Sequence, residues 1–469
     1  MPPTFIKKIL APFKRPTPRT HPSQEVARVE PTHDIPPPIS HTQSYHLAPE
    51  QGSELNIFPN ARRFTIQNQH ISFGPSKSLF DYLSPHIAAG AAHNSDERCD
   101  APKCEQETRI AVQDEILGWI IGGDDHGDAQ PRKITWVTGP AGAGKTAILG
   151  SIADECQAQG LLAASFFFSS FSGSASRRSK RCLVATLAYH LQRHKSLQGY
   201  GDQLLSVMAK DQLALSQRLE DQAETLILGP LREIEGGYDR SAIPQVIIID
   251  GVDEVEAEQY HDPSRQEATR RNEDDQVQIL SILLQCAKDP AFPFRILIAS
   301  RPERAIEDFF TNTADSHTLR IFLDSKYNPD EDIELFLRAK FSEIRRRFRV
   351  SSTWPSDDAI RWIIDTASGQ FIFAATAIRY ISDPSYIPQQ QLEHILCRLS
   401  EGDNRGNPYG ALDRLYVHIF NSNPNPKLAV AWIGADRRNT TTSYLQTTGY
   451  ASLKLSRERQ LTSWGTLLP

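Results

Sequence analysis

Residues 139–146 read Gly139-Pro140-Ala141-Gly142-Ala143-Gly144-Lys145-Thr146, with Ala147 next. Glycines at the first, fourth and sixth places, followed by lysine and a hydroxyl residue, complete the pattern G-x-x-x-x-G-K-[ST]. No other feature limits the possible folds as tightly. The glycines let the backbone close into a nest whose N–H groups converge on phosphate oxygens. That nest works only between a strand and a helix, because the helix N-terminus adds its partial positive charge. Both flanks are present. Ile134-Thr135-Trp136-Val137-Thr138 is a short β-rich run, and TAILGSIADEC from Thr146 to Cys156 carries apolar residues at helical spacing. Gly139, Pro140, Ala141, Gly142, Ala143, Gly144, Lys145, Thr146 and Ala147 are therefore the expected phosphate cradle. Lys145 would reach the β- and γ-phosphates as a point charge, and the Thr146 hydroxyl would ligate Mg²⁺.

Two further strand ends carry chemistry. Val246-Ile247-Ile248-Ile249 is a continuous β-branched run, as expected of a strand buried on both faces. It ends in Asp250-Gly251-Val252-Asp253-Glu254. A carboxylate at such a strand end holds Mg²⁺ opposite the loop hydroxyl, which assigns Asp250 to the metal. Asp253 or Glu254 would orient the attacking water. Arg295-Ile296-Leu297-Ile298-Ala299 is a third apolar run, ending in Ser300-Arg301-Pro302-Glu303. Ligands of open α/β sheets bind beyond the carboxyl ends of the strands, so Arg301 stands where it can read a γ-phosphate.

Together, GPAGAGKTAI at 139–148, VIIIDGVDE at 246–254 and RILIASRPE at 295–303 resemble the NACHT family of the STAND signalling NTPases, in the form found in fungal and NOD-like-receptor-like proteins. Weaker likenesses flank them. Cys104-Glu105-Gln106-Glu107-Thr108-Arg109 and the amphipathic stretch to Trp119 look like the family's lead-in helix. Ala164-Ser165-Phe166-Phe167-Phe168-Ser169 looks like its second strand, Leu183–Tyr189 like the helix after it, and Ser368–Thr376 like its post-core helical segment. The resemblance spans about residues 98–420. It implies a nucleotide-switched protein that assembles as a homo-oligomer with an unidentified protein partner, in non-self recognition or programmed cell death. Where related proteins often place Gly-Leu-Pro near the base, this chain has Gly369-Gln370-Phe371. No repeat with a period of 20–50 residues is visible up to Pro469, although relatives usually carry a repeat array.

Composition narrows the alternatives. The net charge is −6 and the pI about 6.2, which offers no global field for nucleic acid. Six scattered cysteines complete no zinc set and read as reduced thiols of a cytoplasmic protein. No apolar run is long enough to span a bilayer. Hydrophobic content is 39%, so part of the chain is expected to be unpacked.

Residues 1–60 hold 12 of the 31 prolines and read as a Pro-rich disordered tail. Within residues 1–15, Phe5, Ile6, Ile9, Leu10 and Phe13 alternate with Lys7, Lys8, Lys14 and Arg15. That pattern would suit a membrane surface, but Pro12 interrupts it and a basic tail is the expected reading. Residues 61–130 read as an adaptor and lead-in helix, 131–325 as a P-loop parallel α/β sheet with helices on both faces, and 326–420 as an all-α region. Residues 421–469 form a polar, irregular tail. The polar insert 255–276 reads as a loop. Arg345-Arg346-Arg347 reads as a solvated helix face, and Phe371, Phe373, Ile378 and Tyr380 as helix core.

The expected function is a signalling switch that binds ATP or GTP with Mg²⁺ and hydrolyses it slowly, through Lys145, Asp253, Glu254 and Arg301, with Thr146 and Asp250 on the metal. The alternatives are a non-hydrolysing scaffold or truncated decoy, and another P-loop enzyme such as a kinase.

Overall fold

The computed structural model describes residues 77–122, 132–257 (without 171, 173, 212, 240 and 241), 265–399 (without 324), 410–422 and 425. The expectations for 1–60, for 61–76 and for 426–469 lie outside them.

Five strands form one wholly parallel sheet: β1 (Ile134–Thr138), β2 (Leu162–Phe167), β3 (Val246–Asp250), β4 (Arg295–Ser300) and β5 (Thr318–Phe322). Their order is β2-β3-β4-β1-β5. Helices connect them: α1 (Leu79–Leu83) and α2 (Ile110–Gly122) precede β1, and α3 (Lys145–Ala158) follows it. Then come α4 (Leu183–Leu191), α5 (Tyr200–Lys210), α6 (Leu219–Ala223) and α7 (Gly229–Glu233) before β3, α8 (Arg265–Lys288) before β4, and α9 (Arg304–Asn312) before β5. Five more follow: α10 (Pro329–Phe348), α11 (Asp357–Ala367), α12 (Phe371–Ile381), α13 (Pro388–Leu399) and α14 (Gly410–Asn421). The P-loop α/β sheet followed by an all-α region is the architecture expected from the sequence.

The apolar runs explain the layering. A strand turns successive side chains to opposite faces. In β3, Ile247 and Ile249 enter one core with Trp136, Phe166 and Ile298, while Val246 and Ile248 enter the other with Val137, Ile152 and Leu297. Both faces of the sheet are covered, so no polar residue interrupts β3 before Asp250. A third core lies within α10–α14, around Leu337, Phe341, Ile363, Phe373 and Ile395.

Helix ends follow local chemistry. Asn328 caps α10 in a left-handed conformation with Pro329 at its first position. Asp330, Glu331 and Asp332 sit in its first turn and Arg345, Arg346 and Arg347 in its last, complementing the helix dipole. The basic cluster thus has a place at a helix C-terminus, where Arg345 also donates to the Trp354 carbonyl at 3.2 Å.

Two expectations change. The lead-in helix starts at Ile110 rather than near 104: residues 104–109 turn instead, with Glu107 and Arg109 at positive φ. The insert 255–276 is not all loop, because α8 begins at Arg265. RQEATRRNEDDQ is rich in helix formers but lacks an apolar stripe, so helical propensity without periodicity was read as a loop.

A histidine cluster packs β2 against α4. The His93 N–H donates to the Ser165 hydroxyl at 3.1 Å, and His190 Nδ1 accepts from the Ser165 N–H at 3.4 Å. Burial, reinforced by Arg193, His93 and His194, pushes His190 down to about 4. Its folded pKa lies below the unfolded value of 6.5, so protonation favours the unfolded chain. Stability is full above pH 6.5 and is lost as pH falls towards 4. The shift corresponds to at most ~3 kcal/mol, lowered by screening because the residue is only partly buried. The thermal midpoint should therefore fall between pH 6.5 and 5, and less steeply in His190→Gln. An equal slope in both proteins would contradict this.

Candidate nucleotide-binding site

The parallel register brings three strand ends level. Thr138 pairs with Ser300, and Ala299 with Asp250. Because β4 lies between β1 and β3, Ser300 and Arg301 emerge between the 139–144 loop and Asp250. Trp136, wholly buried below the loop, donates from Nε1 to the Ser300 hydroxyl at 2.9 Å and stacks on Phe310 with centroids 4.3 Å apart.

Gly142 and Gly144 take φ of 79° and 91°, the left-handed region that admits glycine most readily. Helix α3 begins at Lys145, so its first N–H groups, those of Lys145, Thr146 and Ala147, lie at the loop. The Lys145 ammonium donates to the Gly139 and Pro140 carbonyls at 2.8 and 3.0 Å. Burial holds its pKa below the ordinary lysine value, against the pull of Asp253.

The Thr146 hydroxyl and the Asp250 carboxyl line the same cleft. Asp250 is 3% exposed. Burial pushes its carboxyl up to about 7, opposed by Thr146 and Arg98 and assisted by Glu254 and Asp253. A buried carboxylate facing a hydroxyl is an oxygen donor pair suited to Mg²⁺, which takes one or two protein oxygens and completes its shell from phosphates and water. Among the described residues no cluster of three or more His, Cys, Asp or Glu could hold a metal.

Asp253 and Glu254 have different surroundings. Asp253 is buried and accepts the Arg301 N–H at 3.0 Å, with the Arg301 guanidinium 3.3 Å away. Glu254 accepts from the Ser170 N–H at 2.9 Å and from its hydroxyl at 3.3 Å, and burial raises its pKa. Lys145, Thr146, Asp250, Asp253, Glu254 and Arg301 line one cleft of about 1720 Å³, while Gly139, Pro140 and Ala143 of the loop are not on its wall. Every site residue read from the strand ends is thus brought to one place.

Other wall residues escaped sequence reasoning. Arg98 is 8% exposed, with its guanidinium 3.7 Å from the Phe167 ring centroid. Arg109 donates to the Ala143 carbonyl at 3.0 Å, lies over Phe371 at 4.7 Å, and offers its N–H to Asp332 at 2.9 Å. It ties the segment before the domain to both the loop and the α-helical region. Phe371 packs against the helix core as expected and also lines the cleft, while Phe373, Ile378 and Tyr380 are buried. The Ile372 N–H donates to the Gly142 carbonyl at 3.3 Å, and a Cβ on Gly142 would come within 2.9 Å of Ile372 Cβ. The only available signal was the Thr108-Arg109 pair in the lead-in likeness.

Residues 117–301 match the family model described as Nephrocystin 3, N-terminal. The match runs through the 139–146 loop, the Asp250 strand end and Arg301. The match covers less than half of the chain, over a stretch that has the P-loop α/β fold. No curated protein matches the chain. The crystal structure of the FIGL-1 AAA domain aligns at 14% identity, over 74% of this chain and 92% of that chain, with a TM-score of 0.31, and adds no weight to the assignment. A P-loop fold of this kind generally binds nucleotide with Mg²⁺. No described helix is long and apolar enough to cross a membrane.

Proposed function

We propose that this chain is a nucleotide-operated signalling switch that binds ATP or GTP with Mg²⁺, hydrolyses it slowly and changes its assembly with nucleotide state. The observation that carries this reading is that Lys145, Thr146 and the buried Asp250 line one cleft with Asp253, Glu254 and Arg301. Phosphoryl transfer depends on positioning and electrostatic stabilisation more than on covalent chemistry. In this reading Gly139–Ala147 cradle the phosphates and Lys145 meets their charge. Thr146 and Asp250 hold Mg²⁺, which neutralises charge on the bridging phosphate oxygens when bound.

The hydrogen bonds give the remaining residues distinct parts. Asp253 holds Arg301 by its main chain and its guanidinium, so Asp253 serves as the anchor of Arg301, the γ-phosphate reader. Glu254 remains to orient water. It is already bound twice by Ser170, which supports slow turnover and favours, as a second reading, a protein that holds nucleotide without hydrolysing it.

Mg²⁺-dependent binding and phosphate release by wild type and Glu254→Gln separate the two. Glu254→Gln should retain nucleotide affinity within about threefold and lose phosphate release by about a hundredfold, the usual scale for removing a positioned base. Binding without any phosphate release in the wild type selects the second reading. Absence of nucleotide binding in the wild type rejects both.

A further inference from the structure

Arg98 belongs to a short helical turn, Asp96–Arg98, that precedes the 117–301 domain in the chain, yet it lines the same cleft as Lys145 and Asp250. Its burial is unusual for a cation: 8% exposed, with its Nε lacking any hydrogen-bond partner among the described residues. The Phe167 ring supports it at 3.7 Å. Phe167 pairs in register with Asp250, so the guanidinium sits over the end of β2 next to the carboxylate assigned to Mg²⁺. A second buried guanidinium, Arg177, also lines the cleft with an unpartnered Nε. Its nearest anion is Glu97 of the same turn, 3.8 Å away.

Burying a guanidinium without satisfying its donors is unfavourable unless an anion uses them. The planar fork is suited to phosphate oxygens. Asp250 is the carboxylate that acts most strongly on Arg98, ahead of Asp154, and in the proposed function its charge is committed to Mg²⁺. The anion missing from Arg98 is therefore sought in the ligand.

We propose that Arg98 is a phosphate-contacting residue, which engages the terminal phosphate of a bound nucleoside triphosphate and so ties the 93–104 segment to nucleotide state. The inference rests on the nucleotide-binding reading above and goes beyond it. The cation comes from outside the matched domain, and its contact distinguishes triphosphate from diphosphate. Arg177 supports it through Glu97 and so acts as a positioning residue.

The test measures affinities of the full chain for a non-hydrolysable ATP analogue and for ADP, each with Mg²⁺, in wild type, Arg98→Gln and Arg98→Lys. GTP analogues take their place if the wild type prefers guanine. Removal of a charge-assisted contact to one phosphate should weaken triphosphate binding by about tenfold or more while leaving diphosphate binding within about threefold. Arg98→Lys should recover part of the loss. A residue that merely balances Asp250 or packs on Phe167 would shift both ligands alike, and that result overturns the proposal. A wild type that binds neither ligand overturns the nucleotide reading itself, a different outcome. If Arg98→Gln does not fold, hydrogen exchange on the wild type decides. Amides of 93–104 should be more protected with the triphosphate analogue than with ADP, and equal protection overturns the proposal.

Discussion

Lys145→Ala should reduce Mg²⁺-nucleotide affinity by about tenfold to a hundredfold, as expected when a charge-assisted contact to phosphate is removed. Lys145 lies at the first position of α3 and already bends across the loop to the Gly139 and Pro140 carbonyls. Its ammonium is therefore held over the nest before any phosphate arrives, and little side-chain ordering remains for binding to supply. The substitution touches no packed core, so the thermal midpoint without nucleotide should stay within a few degrees of wild type. Titration of a fluorescent nucleotide analogue against both proteins measures the effect. Equal affinities would show that the loop amides alone hold the phosphates.

The second large effect is structural. Trp136→Ala should destabilise the domain by ~3–5 kcal/mol, the range for truncating a buried aromatic side chain. Trp136 is fully buried, stacks on Phe310 and donates to Ser300. Alanine would leave a cavity between β1 and α9 and strand the Ser300 hydroxyl at the head of β4. The residue before Arg301 would lose its tether, so the variant should bind nucleotide more weakly even where it is folded. Urea unfolding gives the stability loss. A change below ~1 kcal/mol would mean that α9 closes over the gap.

The parts legible in the sequence are those whose constraint is local. The 139–146 loop carries its conformation in its glycines, and β3 and β4 reveal themselves because both faces are buried and no alternation remains. The all-α character of the region after β5 was legible, since α10, α11 and α12 combine an apolar stripe with Pro329, Ser356 or Gly369 at their edges. Arg98 and Arg109 were not legible. Each reaches the cleft by tertiary approach: Arg98 is 152 positions from Asp250, and Arg109 is 223 from Asp332. No periodicity marks a guanidinium that will be buried by strands folded later in the chain. The surroundings of Asp253 and Glu254 were equally hidden, because adjacent carboxylates in one turn differ only in what meets them: Arg301 for one, Ser170 for the other.

The meeting of Gly142 with Ile372 joins the 139–146 loop directly to the first turn of α12. The first turn of α12 rests on the very peptide that must present its N–H groups to phosphate. A loop that reshapes to grip a ligand therefore either lifts α12 or is held back by it. If the loop binds nucleotide as proposed, linkage requires that any ligand of the α10–α14 bundle that tilts α12 and nucleotide alter each other's affinity by the same factor. One absent side chain thus serves as the bearing on which phosphate chemistry and helix packing turn together.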